Sequence, residues 1–121
     1  MSANVLICDD SNLARKQVLR SLPENLSSNV QLAKNGEEAL TILRSQEIDV
    51  LFLDLTMPVI DGLGVLQAMQ DENIELPVFV ISADIQPEMQ SRVLDLGAKA
   101  FLRKPVQLDT LNENLQLHGF L

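Results

Sequence analysis

The sequence predicts an α/β fold, a doubly wound five-stranded parallel sheet with helices on both faces. Two observations carry that prediction. Short apolar runs and helix-like stretches alternate about five times along 121 residues, with short connections between them. Strands and helices in strict alternation pack as a parallel sheet covered on both sides. The run Val50-Leu51-Phe52-Leu53, bounded by Asp49 and Asp54, is apolar without alternation, as a strand buried on both faces must be. Right-handed crossovers leave few topologies for five such strands. The expected order is 2-1-3-4-5, with the switch point beside strand 1.

Each element has its own signal. Val5-Leu6-Ile7-Cys8 reads as a buried strand that runs into Asp9-Asp10. Ser11 can cap the following helix, whose Ala14, Val18 and Leu22 share one face and which Pro23 stops. Val30-Gln31-Leu32-Ala33 alternates as an edge strand does, and the Asn35-Gly36 turn leads into a helix carrying Ala39, Leu40 and Leu43. After the strand ending at Asp54, the segment Leu55 to Gly62 turns the chain. A helix from about Leu63 to Gln70 then points Val65, Leu66 and Met69 inward. Pro77-Val78-Phe79-Val80-Ile81-Ser82 is the fourth strand, its proline at the tolerated first position. A helix from about Pro87 to Leu96 ends at Gly97, a residue suited to the left-handed end of a helix. Lys99 to Leu102 makes a short fifth strand and Leu108 to Leu117 a last helix.

One domain over residues 1–121 follows from the length, which suffices to bury a core. Hydrophobic residues make up 46% and charged residues 21%, the balance of an ordinary globular domain. The net charge of -8 disfavours nucleic acid and anionic membrane, whose phosphates would be repelled, and suits a basic partner surface or a bound cation. No apolar run reaches the roughly 20 residues of a membrane span. Met1-Ser2-Ala3-Asn4 lacks the basic and apolar parts of a secretory signal. The single cysteine, Cys8, sits inside an apolar strand with no second cysteine to pair. It reads as a buried structural thiol, and the expected address is cytoplasmic.

The chemistry collects where the strands end, because in open α/β sheets ligands bind beyond the carboxyl ends of the strands. Strand 1 ends in Asp9-Asp10, strand 3 in Asp54 and strand 4 in Ser82, while strand 5 runs into Lys104-Pro105. In the expected order these four strands are neighbours. Each residue alone is ordinary: a solvated strand-end acid, a hydroxyl bonded to backbone, an exposed lysine. Gathered on one rim they make a site. Two carboxylates about 4 Å apart repel by roughly 4 kcal/mol at an effective dielectric of 20. A divalent cation relieves that repulsion, and oxygen-only ligands favour Mg²⁺ over Zn²⁺. With a hard cation, a hydroxyl and an ammonium the rim can hold a phosphoryl group, and aspartate is a competent nucleophile toward phosphorus.

These residues fall in the spaced motifs Cys8-Asp9-Asp10-Ser11, Asp54-Leu55-Thr56-Met57-Pro58, Asp61-Gly62, Ile81-Ser82-Ala83 and Lys104-Pro105. From Val5 to about Leu117 the chain resembles the receiver domains of bacterial two-component response regulators, the CheY-like family, whose flavodoxin-like sheet has the 2-1-3-4-5 order. The resemblance implies that Asp54 is the phosphoacceptor. It implies that Asp10 is a direct Mg²⁺ ligand, that Asp9 orients metal-bound water, and that Asp54 and the backbone carbonyl of Thr56 complete the protein's ligands. It makes Ser82 the hydroxyl that swings toward a phosphoryl oxygen and Lys104 the cation bridging carboxylate and phosphate. Phe101 falls at the aromatic switch position, whose rotamer follows Ser82. Many relatives carry tyrosine there; phenylalanine has no ring hydroxyl, so the switch must be read by packing alone. Thr56 and Asp84 fall where family members tune the lifetime of the phosphate, and the bond from Lys104 to Pro105 is implied to be cis.

The implied function is a signalling module rather than an enzyme acting on other molecules. It would accept phosphate from a histidine kinase or histidine phosphotransfer protein onto Asp54 with Mg²⁺, lose it slowly to water, and change partner binding as a monomer or a phosphorylation-dependent dimer. The run Ser82-Ala83-Asp84-Ile85-Gln86-Pro87 is similar to receivers associated with CheC/CheX-type phosphatase domains; an output domain is the other kind of partner implied. Two readings compete. A phosphohydrolase of the haloacid dehalogenase type also uses a nucleophilic aspartate on a doubly wound sheet. It wants a second acid where this chain has Thr56, and a cap domain that does not fit in 121 residues. A pseudo-receiver that binds partners without phosphate would not need every site residue type. Arg15, Lys16 and Arg20 are expected on an exposed face of the first helix, as contacts for the phosphodonor. Asp61 and Gly62 are expected to serve the turn after strand 3, the glycine by allowing positive φ. Asp84 has a second reading as a cap for the next helix, and His118, without a nearby partner, is expected to hold no catalytic or metal role.

Overall fold

A computed structural model describes residues 3–120. The elements are β1 (Asn4–Cys8), α1 (Asn12–Ser21), α2 (Glu24–Ser27), β2 (Asn29–Ala33), α3 (Gly36–Ser45), β3 (Val50–Leu53), α4 (Gly62–Asp71), β4 (Val78–Ser82), α5 (Pro87–Asp95), β5 (Ala100–Arg103) and α6 (Leu108–Leu117). All strand pairs are parallel, in the order β2-β1-β3-β4-β5.

The two-residue period of the strands sorts their side chains into two cores. Leu6, Cys8, Leu51, Leu53, Val78 and Val80 face α3, α4 and α5, where Leu40, Val65, Leu66 and Val93 meet them. Val5, Ile7, Val50, Phe52, Phe79 and Ile81 face α1, α2 and α6, and meet Val18, Leu26, Leu111 and Leu115. β3 is therefore apolar at every position and β4 at every position but its last, Ser82, and all of both strands is buried. Phe52 and Phe79 stack with ring centroids 5.6 Å apart; burying an aromatic side chain of this size contributes about 2–3 kcal/mol.

The helix ends follow local chemistry. Ser11, Asn35 and Asp61 each occupy an N-cap position and accept from the backbone N–H three residues on. Gly97, at φ +102°, ends α5 in the left-handed region. No periodicity announces α2, because four residues are too few to show one; that single turn buries Leu26.

One of the turn residues behaves differently from expectation. Gly62 is not at positive φ; the requirement there is proximity, since a Cβ would collide with the Asp54 carbonyl oxygen and with Leu55. The positive φ of that loop falls instead on Val59, at +70°. Ile60 N–H donates to the Pro58 carbonyl at 2.9 Å, so Val59 is the centre of a three-residue turn of the rare, strained hand.

Candidate functional site at the carboxyl ends of the strands

Sheet register builds the site. Cys8 lies opposite Leu53, so the next residues, Asp9 and Asp54, leave neighbouring strands at the same level. The Asp54 N–H donates to the Cys8 carbonyl at 2.9 Å, and the Asp9 N–H to Ala33 at 3.0 Å. On the other side Ser82 lies opposite Arg103, and the Lys104 N–H donates to the Ser82 carbonyl at 2.9 Å. The Lys104–Pro105 peptide is cis.

Lys104 reaches across the rim. Its Nζ lies 2.7 Å from Asp9 Oδ2 and 3.2 Å from Asp54 Oδ1. Asp9 Oδ1 accepts from the Ser11 N–H at 2.9 Å. Both acids are almost completely buried, while Asp10 is exposed. Asp9, Asp10 and Asp54 each offer a carboxylate oxygen, and these oxygens lie within 4.8 Å of one another. Three carboxylates at that spacing, with no sulfur or nitrogen donor among them, suit a hard divalent cation.

One lysine does not balance this charge. Burial and the neighbouring Asp9 push the Asp54 carboxyl above its ordinary range, although Lys104 pulls the other way. For Lys104, burial opposes the charged form, but the Asp9 hydrogen bond and the two carboxylate charges outweigh it and hold the ammonium above its ordinary value. Beneath the rim, burial pushes the Cys8 thiol up to about 12, with Asp9 and Asp54 adding to the effect. Cys8 Sγ sits 3.3 Å from both Met57 Sδ and the Asn35 carbonyl. It ties the loop after Asp54 to β1 as a packed, protonated thiol.

Other expected site residues are near but not joined to the acids. Ser82 is buried, and its Oγ accepts from the Asp84 N–H at 3.0 Å. Asp84 Oδ1 accepts from the Gln86 N–H at 3.1 Å, shaping the loop, while the N-cap of α5 is Gln86; the helix-capping alternative for Asp84 is not what forms. Thr56 is exposed beside the rim. Phe101 is half-buried against the α5 side of the sheet, the face onto which Val80 and, two residues on, Ser82 project.

Two expectations are corrected. Arg15 is not on the exposed face of α1: it is 7% exposed, and its guanidinium bonds to the Asp9 carbonyl. Lys16 and Arg20 are exposed as expected. His118 does have a neighbour: its ring packs edge-on against Phe79 at 5.5 Å, a structural contact far from the acids along the strand. Arg15 is also the residue of this site that the residue pattern hid. The signal was its spacing, three before Val18 and seven before Leu22, on the apolar stripe of the helix.

The family model for the response regulator receiver domain matches residues 5–116. The chain belongs to that family. This receiver is 38% identical over 111 residues to the response regulator MprA of Mycobacterium bovis, covering 92% of the chain and 48% of the relative. It thus spans about half the length of the curated relatives it matches. Among solved structures it is similar to the chemotaxis response regulator CheY4 of Vibrio cholerae (31% identity, TM-score 0.82, covering 97% of this chain and 98% of that one). It is also similar to a chain of the CheX-CheY-BeF3-Mg²⁺ complex of Borrelia burgdorferi (29% identity, TM-score 0.88, 96% and 89% covered).

Proposed function

We propose that this receiver accepts a phosphoryl group on Asp54 in a Mg²⁺-dependent reaction and signals by rearranging Ser82 and Phe101. The observation that carries the reading is the arrangement of Asp9, Asp10 and Asp54 within 4.8 Å, with Lys104 bonded to two of them. Asp10 is the exposed ligand. Asp9, already engaged with Lys104 and the Ser11 N–H, acts through water, and the Thr56 carbonyl with Asp54 completes the protein's share. Bound there, Mg²⁺ would neutralise charge on the transferred group.

In the forward step an Asp54 carboxylate oxygen bonds to phosphorus as the bond from phosphorus to the donor's imidazole nitrogen breaks, the electron pair leaving with the imidazole. In the return step water attacks phosphorus, the bond to the Asp54 oxygen breaks, and orthophosphate leaves. Lys104 stays charged throughout and pairs with the added phosphoryl oxygens. Ser82, released from the Asp84 N–H, donates to one of them, and Phe101, on the same face, takes up the vacated space. Thr56 and Asp84 flank the path of the attacking water and set the phosphate's lifetime. The donor is a histidine kinase or histidine phosphotransfer protein, met by the exposed Lys16 and Arg20. The similarity to a chain of the Borrelia CheX-CheY complex supports a CheX-type phosphatase as a partner class. Among the described residues no helix is long and apolar enough to cross a membrane, and we place the reaction in the cytoplasm.

Incubation with acetyl phosphate should add one phosphoryl group in the presence of Mg²⁺ and far less after chelation, read by intact mass. Asp54→Asn should abolish the addition. Equally fast labelling of Asp54→Asn, or labelling indifferent to chelation, would falsify the assignment.

A further inference from the structure

Arg15 breaks the local rules of the fold. It stands in the first turn of α1, where a cation opposes the helix dipole, and no acidic residue shares that turn. It is buried, yet it forms no ion pair among the described residues, and its Nε has no hydrogen-bond partner. Burying a cation without a carboxylate is costly, and such violations collect at functional sites.

What the guanidinium does is hold backbone. Nη1 donates to the Asp9 carbonyl oxygen at 2.6 Å, and Nη2 is anchored on Asn12 Oδ1 at 3.2 Å. The Asp9 N–H is fixed separately by Ala33. The Asp9 carbonyl lies in the rigid peptide plane that leads into Asp10. Lys104 holds the carboxylates of Asp9 and Asp54, but that of Asp10 has no ion pair among the described residues. Among the described residues no ion pair fixes its direction, which leaves its backbone and its own side-chain torsions.

We infer that Arg15 is a positioning residue for cation binding, fixing the Asp9–Asp10 peptide so that the Asp10 carboxylate stays aimed at the space it shares with Asp9 and Asp54. The inference rests on the reading of this rim as a Mg²⁺ site. It opposes simple electrostatics, in which removing a cation beside three acids would strengthen Mg²⁺ binding.

Calorimetric titration of the whole chain with Mg²⁺ separates the two. Arg15→Met should weaken Mg²⁺ affinity about tenfold, the size of effect seen when groups that orient metal ligands are removed. Arg15→Lys keeps the charge but lacks the planar fork that reaches both oxygens, and should fall between wild type and Arg15→Met. In an Asp10→Ala background Arg15→Met should change affinity less than about twofold, because interacting sites are not additive. If Arg15→Met does not fold, as judged by amide spectra, Arg15→Lys and Asn12→Ala carry the test; both should bind Mg²⁺ more weakly than wild type. Unchanged or tighter binding by the folded Arg15 variants, or an undiminished effect in the Asp10→Ala background, overturns the inference. Failure of wild type itself to bind Mg²⁺ overturns the reading of the rim instead.

Discussion

The two ends of the parallel sheet are built from different materials. At the carboxyl ends of the strands lie Asp9, Arg15, Asp54 and Ser82, which are the buried polar and charged residues of the described chain. Val59, at positive φ and 73% exposed, sits in the loop of the same rim. At the opposite end a cleft between α4 and α5 is lined by Leu66, Met69, Ile74, Leu76 and Leu96, with Gln70, Glu75 and Lys99 at its margins. No buried charge lies there among the described residues. Both ends carry a non-glycine residue at positive φ, Asn73 at the cleft and the β-branched Val59 at the rim, but burial of charge and a cation in the first turn of a helix occur at the rim. Strain and buried charge of this kind persist only where the rest of the fold over-determines them, and the apolar layers between the two ends supply that.

The comparison breaks most visibly if the layers are weakened. Leu115→Ala, in the α6 layer and fully buried, should cost about 2–5 kcal/mol in denaturant unfolding and leave the Mg²⁺ affinity of the folded protein unchanged. A loss of affinity as large as that for Asp10→Ala would show that the ends are not separable. Lys104→Met removes the cation shared by two buried acids and should cost roughly 1–3 kcal/mol near neutral pH, with Mg²⁺ restoring part of the loss. If Mg²⁺ restores nothing, cation and lysine do not share the same charge deficit.

The acids themselves should show the opposite sign. Asp54's carboxyl is held above its ordinary value of 3.8, so as pH falls the folded protein takes up that proton before the unfolded chain does. Its stabilising share is present below pH 3.8 and is lost as pH rises through the folded value. Asp54→Asn should therefore stabilise the metal-free protein near neutrality, by about 1 kcal/mol as a residue of carboxylate repulsion partly offset by Lys104. The gain should vanish in acid. A variant less stable than wild type at neutral pH would mean that Asp54 is compensated in the fold. Val59→Gly is the smallest test: relief of the positive-φ strain should add about 0.5–1 kcal/mol, since an exposed side chain leaves no cavity. Loss of stability would show that the valine packs against the loop.

Legibility in the sequence follows the same division. The inner strands were readable because burial on both faces leaves an unbroken apolar run, and the order of Asp9, Asp10, Asp54, Ser82 and Lys104 along the chain placed them on one rim. β5 came out one residue later than its pattern, at Ala100–Arg103, because Lys99 bonds to the sheet only at the strand's entrance, through its N–H to Val78. Arg15 was hidden because charge outweighs spacing in any reading of an amphipathic helix. Val59 was hidden because nothing in a β-branched residue announces positive φ. What escaped the sequence lies largely at the rim, where a buried cation and a positive φ run against local propensity.

The proposed function requires that this rim deliver Asp54 to a phosphoryl donor. After incubation with acetyl phosphate and Mg²⁺, borohydride reduction converts an aspartyl phosphate to homoserine, and peptide sequencing by mass spectrometry then locates it. The conversion should occur at position 54 and nowhere else. Homoserine at Asp9, Asp10 or Asp84, or phosphate retained on Ser82 with position 54 unmodified, would contradict the account.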